Sequence, residues 1–341
     1  MVEQRRDDPG REGLVAAYTR FGRTEARANS PIYERLSEEV AASSPLIDYL
    51  LELPEARRQP NLFFAAARLV AGADPVSAGQ LEDLVRNDGL QIHRLMLNRT
   101  TQTNEPARCA VLLPILARID GPVALLEVGA SAGLCLLPDC YGYSYGKHLL
   151  HPADPTHGAF FNCKAGEGVP IPARLPQVVW RRGLDLNPLS VHNVEDIAWL
   201  EALIWPGQAE RLERFRGAVK VARRLNPDVH RGDLLHDLEV LAASAPVGAT
   251  LVIYHSAVLT YVQQQAARDR FASQAMELAD VWISNEAAGV FPEIAVTLDG
   301  PPRSGQFLLA MNRRPTAWTG PHGQSIDWIA DPADEEVKFT S

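Results

Sequence analysis

Hydrophobic residues recur at helical spacing through the first 120 residues of the chain. Ser30 followed by Pro31 is typical of a capped helix start, and Tyr33, Leu36 and Val40 then fall on one side of that helix. Further apolar stripes include Leu62–Leu69, Leu81–Leu95 and Val111-Leu112. None of these stripes alternates as a strand does. The pattern therefore predicts an all-helical N-terminal subdomain over residues 1–120, which we expect to act as a lid.

The pattern changes at Gly121, where short β-type runs begin to alternate with helical segments. The runs are Val123–Val128, Val178–Leu186, Val229-His230, Thr250–Tyr254, Val281–Ser284, Phe307–Met311 and Ser325–Ile329. The helical segments are Val191–Leu203, Ala209–Leu225, Leu234–Ala243 and Val262–Leu278. This alternation predicts an α/β domain over residues 121–341, with a mostly parallel sheet covered on both faces. We expect an insertion at about residues 139–176 and an antiparallel hairpin of the last two runs at one edge.

Composition narrows the possible partners. The chain of 341 residues has a net charge of −9, which disfavours a broad nucleic-acid surface because such surfaces neutralise phosphates. It contains no apolar stretch near the roughly 18 residues that span a bilayer. No apolar segment follows the first arginines, so we expect a cytoplasmic protein. We expect its substrate to be a small molecule. Its four cysteines form no CxxC pair, so we predict no metal site. The oligomeric state stays open.

The most informative segment is a glycine-rich turn after the first predicted strand. A buried strand leads into Gly129-Ala130-Ser131-Ala132-Gly133, and we expect a helix to follow. One interpretation is a cofactor loop, in which small residues let the backbone approach a ligand. A second is the nucleophile elbow of a serine hydrolase, with Ser131 as nucleophile and His255 as base, although the helical N-terminus argues against that fold. A third is a tight turn without a ligand.

Two downstream strand ends carry similar signals. Asp185 lies at the end of the second run and Asn187 directly after it, and Asp233 and Leu234 follow the third. In open parallel sheets, ligands bind outside the carboxyl ends of the strands. Each aspartate is also a suitable helix cap, so the structural alternative stays open at both positions.

These three segments resemble the cofactor-binding motifs of class I S-adenosylmethionine-dependent methyltransferases. The matching positions of the first motif are Glu127, Gly129, Ser131 and Gly133. The resemblance implies a Rossmann-like fold, S-adenosylmethionine as cofactor, a ribose contact from Asp185 and Asn187, and an adenine contact from Asp233 and the Leu234 backbone. Ser131 stands where that family usually has glycine, and Asp185 lies farther from the loop than usual.

The resemblance implies methyl transfer by in-line displacement at the sulfonium methyl group. Substrate-facing residues of such enzymes follow the fourth strand, so His255 is the first candidate for a general base, with Tyr254 beside it. Glu286 closes the fifth strand and is a further catalytic candidate. We expect Asn104, Glu105 and Ser256 to bind the substrate. An alternative is an S-adenosylmethionine-binding protein with non-methylating chemistry.

A second resemblance covers most of the chain. The segments EVGASAGL, GLDLNPL, WLEALIWPGQ and LVIYHSAVL, together with SPIYERL and TNEPAR near the N-terminus, resemble a large, mainly actinobacterial family of uncharacterised proteins. This resemblance supports the same fold and implies no substrate.

Overall fold

A computed structural model describes residues 9–27, 29–154, 159–296 and 298–329. The expectation of no export signal concerns the N-terminus, of which residues 1–8 lie outside the described part. The chain divides into two compact units, one formed by Met1–Thr103 and Asn193–Glu213 and the other by Asn104–His192 and Arg214–Ser341. The sequence prediction placed its boundary at residue 120.

The first described elements are all helices, and strands and helices are mixed along the rest of the chain. The α-helices are α1 Pro9–Phe21, α2 Pro31–Ala42, α3 Ser44–Leu51, α4 Pro60–Ala71, α5 Ala78–Asn98, α6 Cys109–Leu116, α7 Val194–Ala202, α8 Ala209–Leu225, α9 Leu238–Ala242, α10 Gln265–Leu278 and α11 Pro292–Ala295. The strands are β1 Pro122–Val128, β2 Gly142–Tyr145, β3 His148–Leu150, β4 Phe160–Asn162, β5 Lys164–Ala165, β6 Gln177–Asp185, β7 Val229–Arg231, β8 Thr250–Ser256, β9 Val281–Ala287, β10 Phe307–Met311, β11 Arg314–Thr319 and β12 Ser325–Trp328.

The first unit is helical, as its apolar stripes predict. The Ser30 hydroxyl accepts a hydrogen bond from the Tyr33 N–H and so caps α2. Gly72 ends α4 in the left-handed conformation at φ 67°, which glycine adopts without a Cβ clash. The stripes meet in a core that includes the buried rings of Tyr33 and Phe64, whose centroids lie 4.6 Å apart.

The second unit is an α/β domain built on a nine-stranded mixed sheet. The strand order is β5-β12-β11-β10-β9-β8-β1-β6-β7. The five strands from β7 to β9 are parallel, and β1 is flanked by β6 and β8. The order therefore reverses at β1, which is the topological switch point where open sheets bind ligands.

The far side of this sheet differs from the prediction. The prediction that residues 307–311 and 325–329 form a hairpin is wrong, because β11 lies between β10 and β12 and pairs antiparallel with both. The segment Arg314–Thr319 contains a proline and alternates poorly, which is a pattern typical of a loop. Three antiparallel strands therefore extend the parallel part of the sheet.

Different elements cover the two faces of the sheet. On one face, Leu126, Ile253 and Trp282 pack with Leu238 of α9 and Phe271 of α10. On the other face, Tyr254 donates to the Cys135 carbonyl, and Cys109 at the start of α6 contacts the same carbonyl. The insertion contributes a three-stranded sheet in the order β3-β2-β4.

Three tyrosines of the insertion tie it to its surroundings. Tyr141 donates to the Leu134 carbonyl at 2.7 Å, Tyr143 to the Pro138 carbonyl at 2.6 Å, and Tyr145 to the Ala110 carbonyl at 2.5 Å. All three rings are buried. They are therefore structural side chains of this domain.

Among the described residues, no helix is long and apolar enough to cross a membrane.

Candidate functional site

The carboxyl ends of β1 and β6 meet at the glycine-rich loop. The N–H groups of Gly129 and Ala130 donate to the Leu184 carbonyl at 2.7 and 3.3 Å. Gly129, Ser131 and Gly133 all have positive φ, at 73°, 52° and 73°. Ser131 is the strained member, because a side chain crowds the backbone in this region.

The prediction of a helix directly after this loop is wrong. Two short 3₁₀ turns, Leu134–Leu136 and Pro138–Cys140, follow Gly133 in place of a helix. The Leu134 N–H donates to the Asn104 side chain at 3.0 Å and is therefore not presented to a ligand. Any ligand at this loop would have to be recognised by side chains and loop N–H groups, since no helix N-terminus is available.

Two polar side chains hold the loop from opposite sides. The Asp185 carboxylate accepts from the Ser131 N–H at 2.8 Å and from the Asn187 N–H at 2.7 Å. Asn104 accepts from Leu134 and also donates to the Ala130 carbonyl at 3.3 Å. Asp185 and Asn187 are predicted to bind cofactor, and Asn104 is predicted to bind substrate. The structure brings these three residues together at the loop, and Asp185 and Asn104 shape it.

Two buried polar atoms beside the loop lack partners. Glu127 is 4% exposed, and its Oε2 atom has no hydrogen-bond partner among the described residues. The Ser131 hydroxyl is likewise buried and has no hydrogen-bond partner among the described residues. Burial, followed by the neighbouring Cys135 thiol and Asp185 carboxylate, raises the pKa of Glu127 well above its ordinary value of 4.5, against the opposing charge of Arg108. Unsatisfied buried polar atoms are rare, and a ligand group is one way to satisfy them.

The glycines of the loop are in close contact with other side chains. A Cβ at Gly129 would lie 2.2 Å from Cγ2 of Val258, and one at Gly133 would lie 2.9 Å from Pro227. Val258 therefore occupies the space in which a ligand would approach the Gly129 backbone. A ligand in contact with Gly129 would require this side chain to move.

A groove of about 640 Å³ lies beside the loop, at the edge of the sheet formed by β7. It is lined by Ala132, Arg182, Pro188–Val191 and Asn226–Val229. This volume is within the range of small-molecule sites. Arg182 in the groove pairs with Asp228 at 3.1 Å between Nε and Oδ2. Space for a ligand is thus present next to Ala132 of the loop.

Asp233 and Leu234 lie in the turn after β7. Asp233 accepts from the Leu235 N–H at 2.8 Å, and its own N–H donates to Asp237 at 2.7 Å. The preceding Gly232 N–H donates to the Asp185 carbonyl at 2.9 Å, so this turn is anchored to the end of β6. Leu234 is half-buried against the sheet core.

The predicted catalytic residues His255 and Glu286 lie on the opposite face of the sheet from Glu127. Glu127 pairs in register with Tyr254, so His255 points to the other side, where it is fully buried against Trp282. Its Nδ1 lies 2.8 Å from Oε1 of Glu286. The rings of Phe271, Trp282 and Phe291 surround His255, and its role as general base stays a prediction.

Glu286 and Tyr254 also have structural partners. Glu286 Oε1 accepts from the N–H groups of Val258 at 2.9 Å and Leu259 at 3.2 Å. Glu286 thereby fixes the turn whose side chain covers Gly129. Tyr254 donates to the Cys135 carbonyl at 2.9 Å, and burial raises its pKa well above the ordinary value.

A polar cluster at the ends of β8 and β9 contains residues that the sequence reasoning missed. Arg108 donates to the Ser256 carbonyl at 3.0 Å and to the Pro321 carbonyl at 2.9 Å. Asn285 donates to the Ser256 hydroxyl at 2.9 Å and accepts from Thr319 at 2.7 Å. Arg108 belongs to the polar TNEPAR segment and could have been found from it, whereas Thr319 required knowledge of β11.

The comparison with known families decides the assignment of the chain. Residues 15–328 match a family described as an uncharacterized protein conserved in bacteria (DUF2332). The chain belongs to this family. No curated protein and no solved structure matches it. The predicted resemblance to an uncharacterised bacterial family is thus confirmed, whereas the resemblance to class I methyltransferases stays a prediction.

In this family member, the serine hydrolase alternative gains no geometric support. A nucleophilic serine needs a base within hydrogen-bond reach. The Ser131 hydroxyl has no hydrogen-bond partner among the described residues, and His255 lies on the other face of the sheet. Across the part of the chain that the structure describes, no group of three metal-ligating side chains is present.

Proposed function

We propose that this protein binds S-adenosylmethionine at the Glu127–Gly133 segment and transfers its methyl group to a small acceptor molecule. The observation that carries the proposal is the buried Glu127 carboxylate with its unpartnered Oε2, at the switch point of a parallel sheet and beneath a glycine-rich loop. S-adenosylmethionine supplies a methyl group on a sulfonium, which a nucleophile takes by in-line displacement.

The residues at the loop fit such a cofactor in part. The Glu127 carboxylate suits the ammonium of an amino-acid moiety, because an opposite charge favours the ionised form that burial disfavours. The Ser131 hydroxyl is a second buried polar group without a partner. The groove beside Ala132 offers space for the rest of a nucleoside-sized molecule. Asp185 contributes by holding the Ser131 N–H.

The fit requires one movement. Val258 covers Gly129, and the residue before it, Ala257, is held at φ 57°, a region that alanine rarely adopts. Non-glycine residues in this conformation are strained and persist only where the surroundings impose it. The turn at 257–259 is therefore the segment that we expect to shift when cofactor binds.

Calorimetry with S-adenosylhomocysteine and S-adenosylmethionine tests the proposal. We expect micromolar binding to the wild type and an affinity at least tenfold weaker in Glu127→Gln, which loses the negative charge. Asp120→Asn is the matched control, because Asp120 lies next to β1 with its side chain 93% exposed and contacts Arg174. Absence of binding of both compounds to the wild type would overturn the proposal.

A further inference from the structure

The turn at residues 257–259 covers the start of the glycine-rich loop. The turn follows β8 and Gly129 follows β1, and these two strands are paired neighbours in the sheet. Cγ1 of Val258 lies 2.8 Å from the point that a Cβ of Gly129 would occupy, and Cγ2 lies closer still. A glycine lets another group approach its backbone closely, and here that group is a side chain of the same protein.

The same turn carries backbone strain. Ala257 has φ 57°, in the left-handed region where a Cβ crowds the following carbonyl. Its N–H donates to the Asn285 carbonyl at 3.1 Å, so the conformation is fixed by the neighbouring strand β9. Non-glycine residues persist in this region only where their surroundings impose it. The closed position of the turn therefore depends on restraints from β9.

Glu286 of β9 supplies the side-chain restraint. Its Oε1 atom accepts from the N–H groups of Val258 at 2.9 Å and Leu259 at 3.2 Å, and lies 2.8 Å from Nδ1 of His255. The other polar atoms of the pair, Nε2 of His255 and Oε2 of Glu286, have no hydrogen-bond partner among the described residues. In the described part of the chain, these two side chains therefore hold each other and the turn.

The pair is deeply packed, in contrast to the turn that it holds. His255 and Glu286 are 0% and 2% exposed. The rings of Phe271, Trp282 and Phe291 surround the imidazole, with centroids 5.3, 5.8 and 6.5 Å from its own. Replacing a buried ion pair by apolar residues is often neutral for stability, so such a pair is better explained by what it positions. Here it positions the turn over the loop.

We propose that the turn at 257–259 is an autoinhibitory element, which Glu286 and His255 hold over Gly129 until a ligand of the loop displaces it. This inference rests on the proposed function for the identity of that ligand, S-adenosylmethionine. Only molecules with the turn displaced offer the Gly129 backbone to the ligand. The apparent affinity is therefore lowered by the fraction of molecules in that form. The strain at Ala257 favours displacement, and the hydrogen bonds to Glu286 oppose it.

The first experiment measures the turn without any ligand, by native-state hydrogen exchange of the Val258 and Leu259 amides. Ala257→Gly relieves the strain and should slow this exchange by about 2–5-fold, because the closed turn gains more than the glycine costs in backbone entropy. The matched control is Ala243→Gly, at an exposed alanine with φ −64°, which should leave both amides unchanged. Equal or faster exchange in Ala257→Gly would overturn the role of the strain.

Glu286→Gln tests the restraint in the same assay. The glutamine keeps an acceptor oxygen but loses the charge that strengthens bonds from N–H groups. We expect exchange of the two turn amides to accelerate by about tenfold, and that of the Ile253 amide in β8 to accelerate less, because local opening does not need the strand to unfold. Equal acceleration at all three amides would show that Glu286 stabilises the whole domain and would overturn the proposal.

The second experiment measures S-adenosylhomocysteine binding by calorimetry. Val258→Ala reduces the cover and should tighten binding by about 2–5-fold, whereas Ala257→Gly should weaken it by a similar factor. The control is Val240→Ala, at a valine that is 73% exposed. Equal affinities in the wild type and both turn variants would overturn this inference and leave the proposed function intact. A wild type that binds no S-adenosyl compound would overturn the proposed function, and the exchange rates would then decide whether the turn is held by Glu286.

Discussion

The backbone N–H of Ser131 donates to the Asp185 carboxylate across 2.8 Å, and this bond ties the loop after β1 to the end of β6. Asp185 is thereby more than a cap for its own turn. It holds a non-glycine residue at φ 52°, a conformation that the Ser131 backbone would otherwise avoid. The shape of the loop depends on a side chain 54 positions later.

Replacement of Asp185 should therefore affect the loop before it affects any ligand. We expect Asp185→Ala to lower the free energy of unfolding by about 1–3 kcal/mol, because two N–H groups lose their acceptor. Asp185→Asn keeps one acceptor oxygen and should lose less. Urea denaturation measures both, with Asp228→Ala, just before β7, as a control. Equal stabilities of Asp185→Ala and the wild type would contradict this account.

Gly129 should tolerate no side chain while Val258 is present. Gly129→Ala combines a positive φ with a Cβ 2.2 Å from Cγ2 of Val258, and we expect a loss of about 2–4 kcal/mol. Val258→Ala removes the two methyl groups that clash most and leaves a Cβ at 3.0 Å together with the backbone strain. A double-mutant cycle by urea denaturation should then give a favourable coupling of about 0.5–3 kcal/mol. Additive single and double variants would show that the two residues are not in contact.

Glu127 predicts a particular pH dependence of stability. Its pKa is raised in the folded protein, so the native state binds the proton more tightly than the unfolded chain. The contribution is fully present below the ordinary value of 4.5 and is lost as pH rises through the native pKa. Glu127→Gln should therefore be more stable than the wild type at pH 8, on the order of 1 kcal/mol, with the difference shrinking toward pH 4. Thermal unfolding across pH measures it, and the opposite trend would refute the assignment.

Glu286 should act as a structural side chain. Glu286→Ala leaves His255, Val258 and Leu259 without their common acceptor, and we expect a loss of about 3–5 kcal/mol. Glu286→Gln retains an oxygen and should lose about half as much. Glu293→Ala is the control, since its exposed pair with Arg313 contributes about 0–1 kcal/mol. A Glu286→Ala protein as stable as the wild type would contradict this structural role.

Strand positions followed well from the sequence where burial alone determines the pattern. Residues 307–311 are strand β10 as predicted, and the predicted Val123–Val128 run differs from β1 by one residue. A strand buried on both faces needs only a continuous apolar run, which is visible locally. The helical N-terminal unit was predictable for a related reason, since its apolar stripes repeat at helical spacing.

The arrangement of the site was less predictable, because alternation along a strand decides which face a side chain occupies. Tyr254, His255 and Ser256 are adjacent in sequence, yet His255 lies on the opposite face from its neighbours. Glu105 was identified from a polar run. His322 follows β11, whose single proline obscures the strand pattern, and no local signal connects positions 105 and 322.

The hydrogen bond between Arg108 and the Pro321 carbonyl spans 213 positions. Contacts of such long separation form slowly, because the chain must close a large loop before they reward it. During synthesis the ribosome delivers β1, β6, β7, β8 and β9 before it delivers the turn at 320–324. A nascent chain can therefore assemble its glycine-rich loop before the turn that accepts from Arg108 exists. The protein gains its loop early and this turn last, so a chain arrested before residue 320 would carry the loop without the Pro321 acceptor for Arg108.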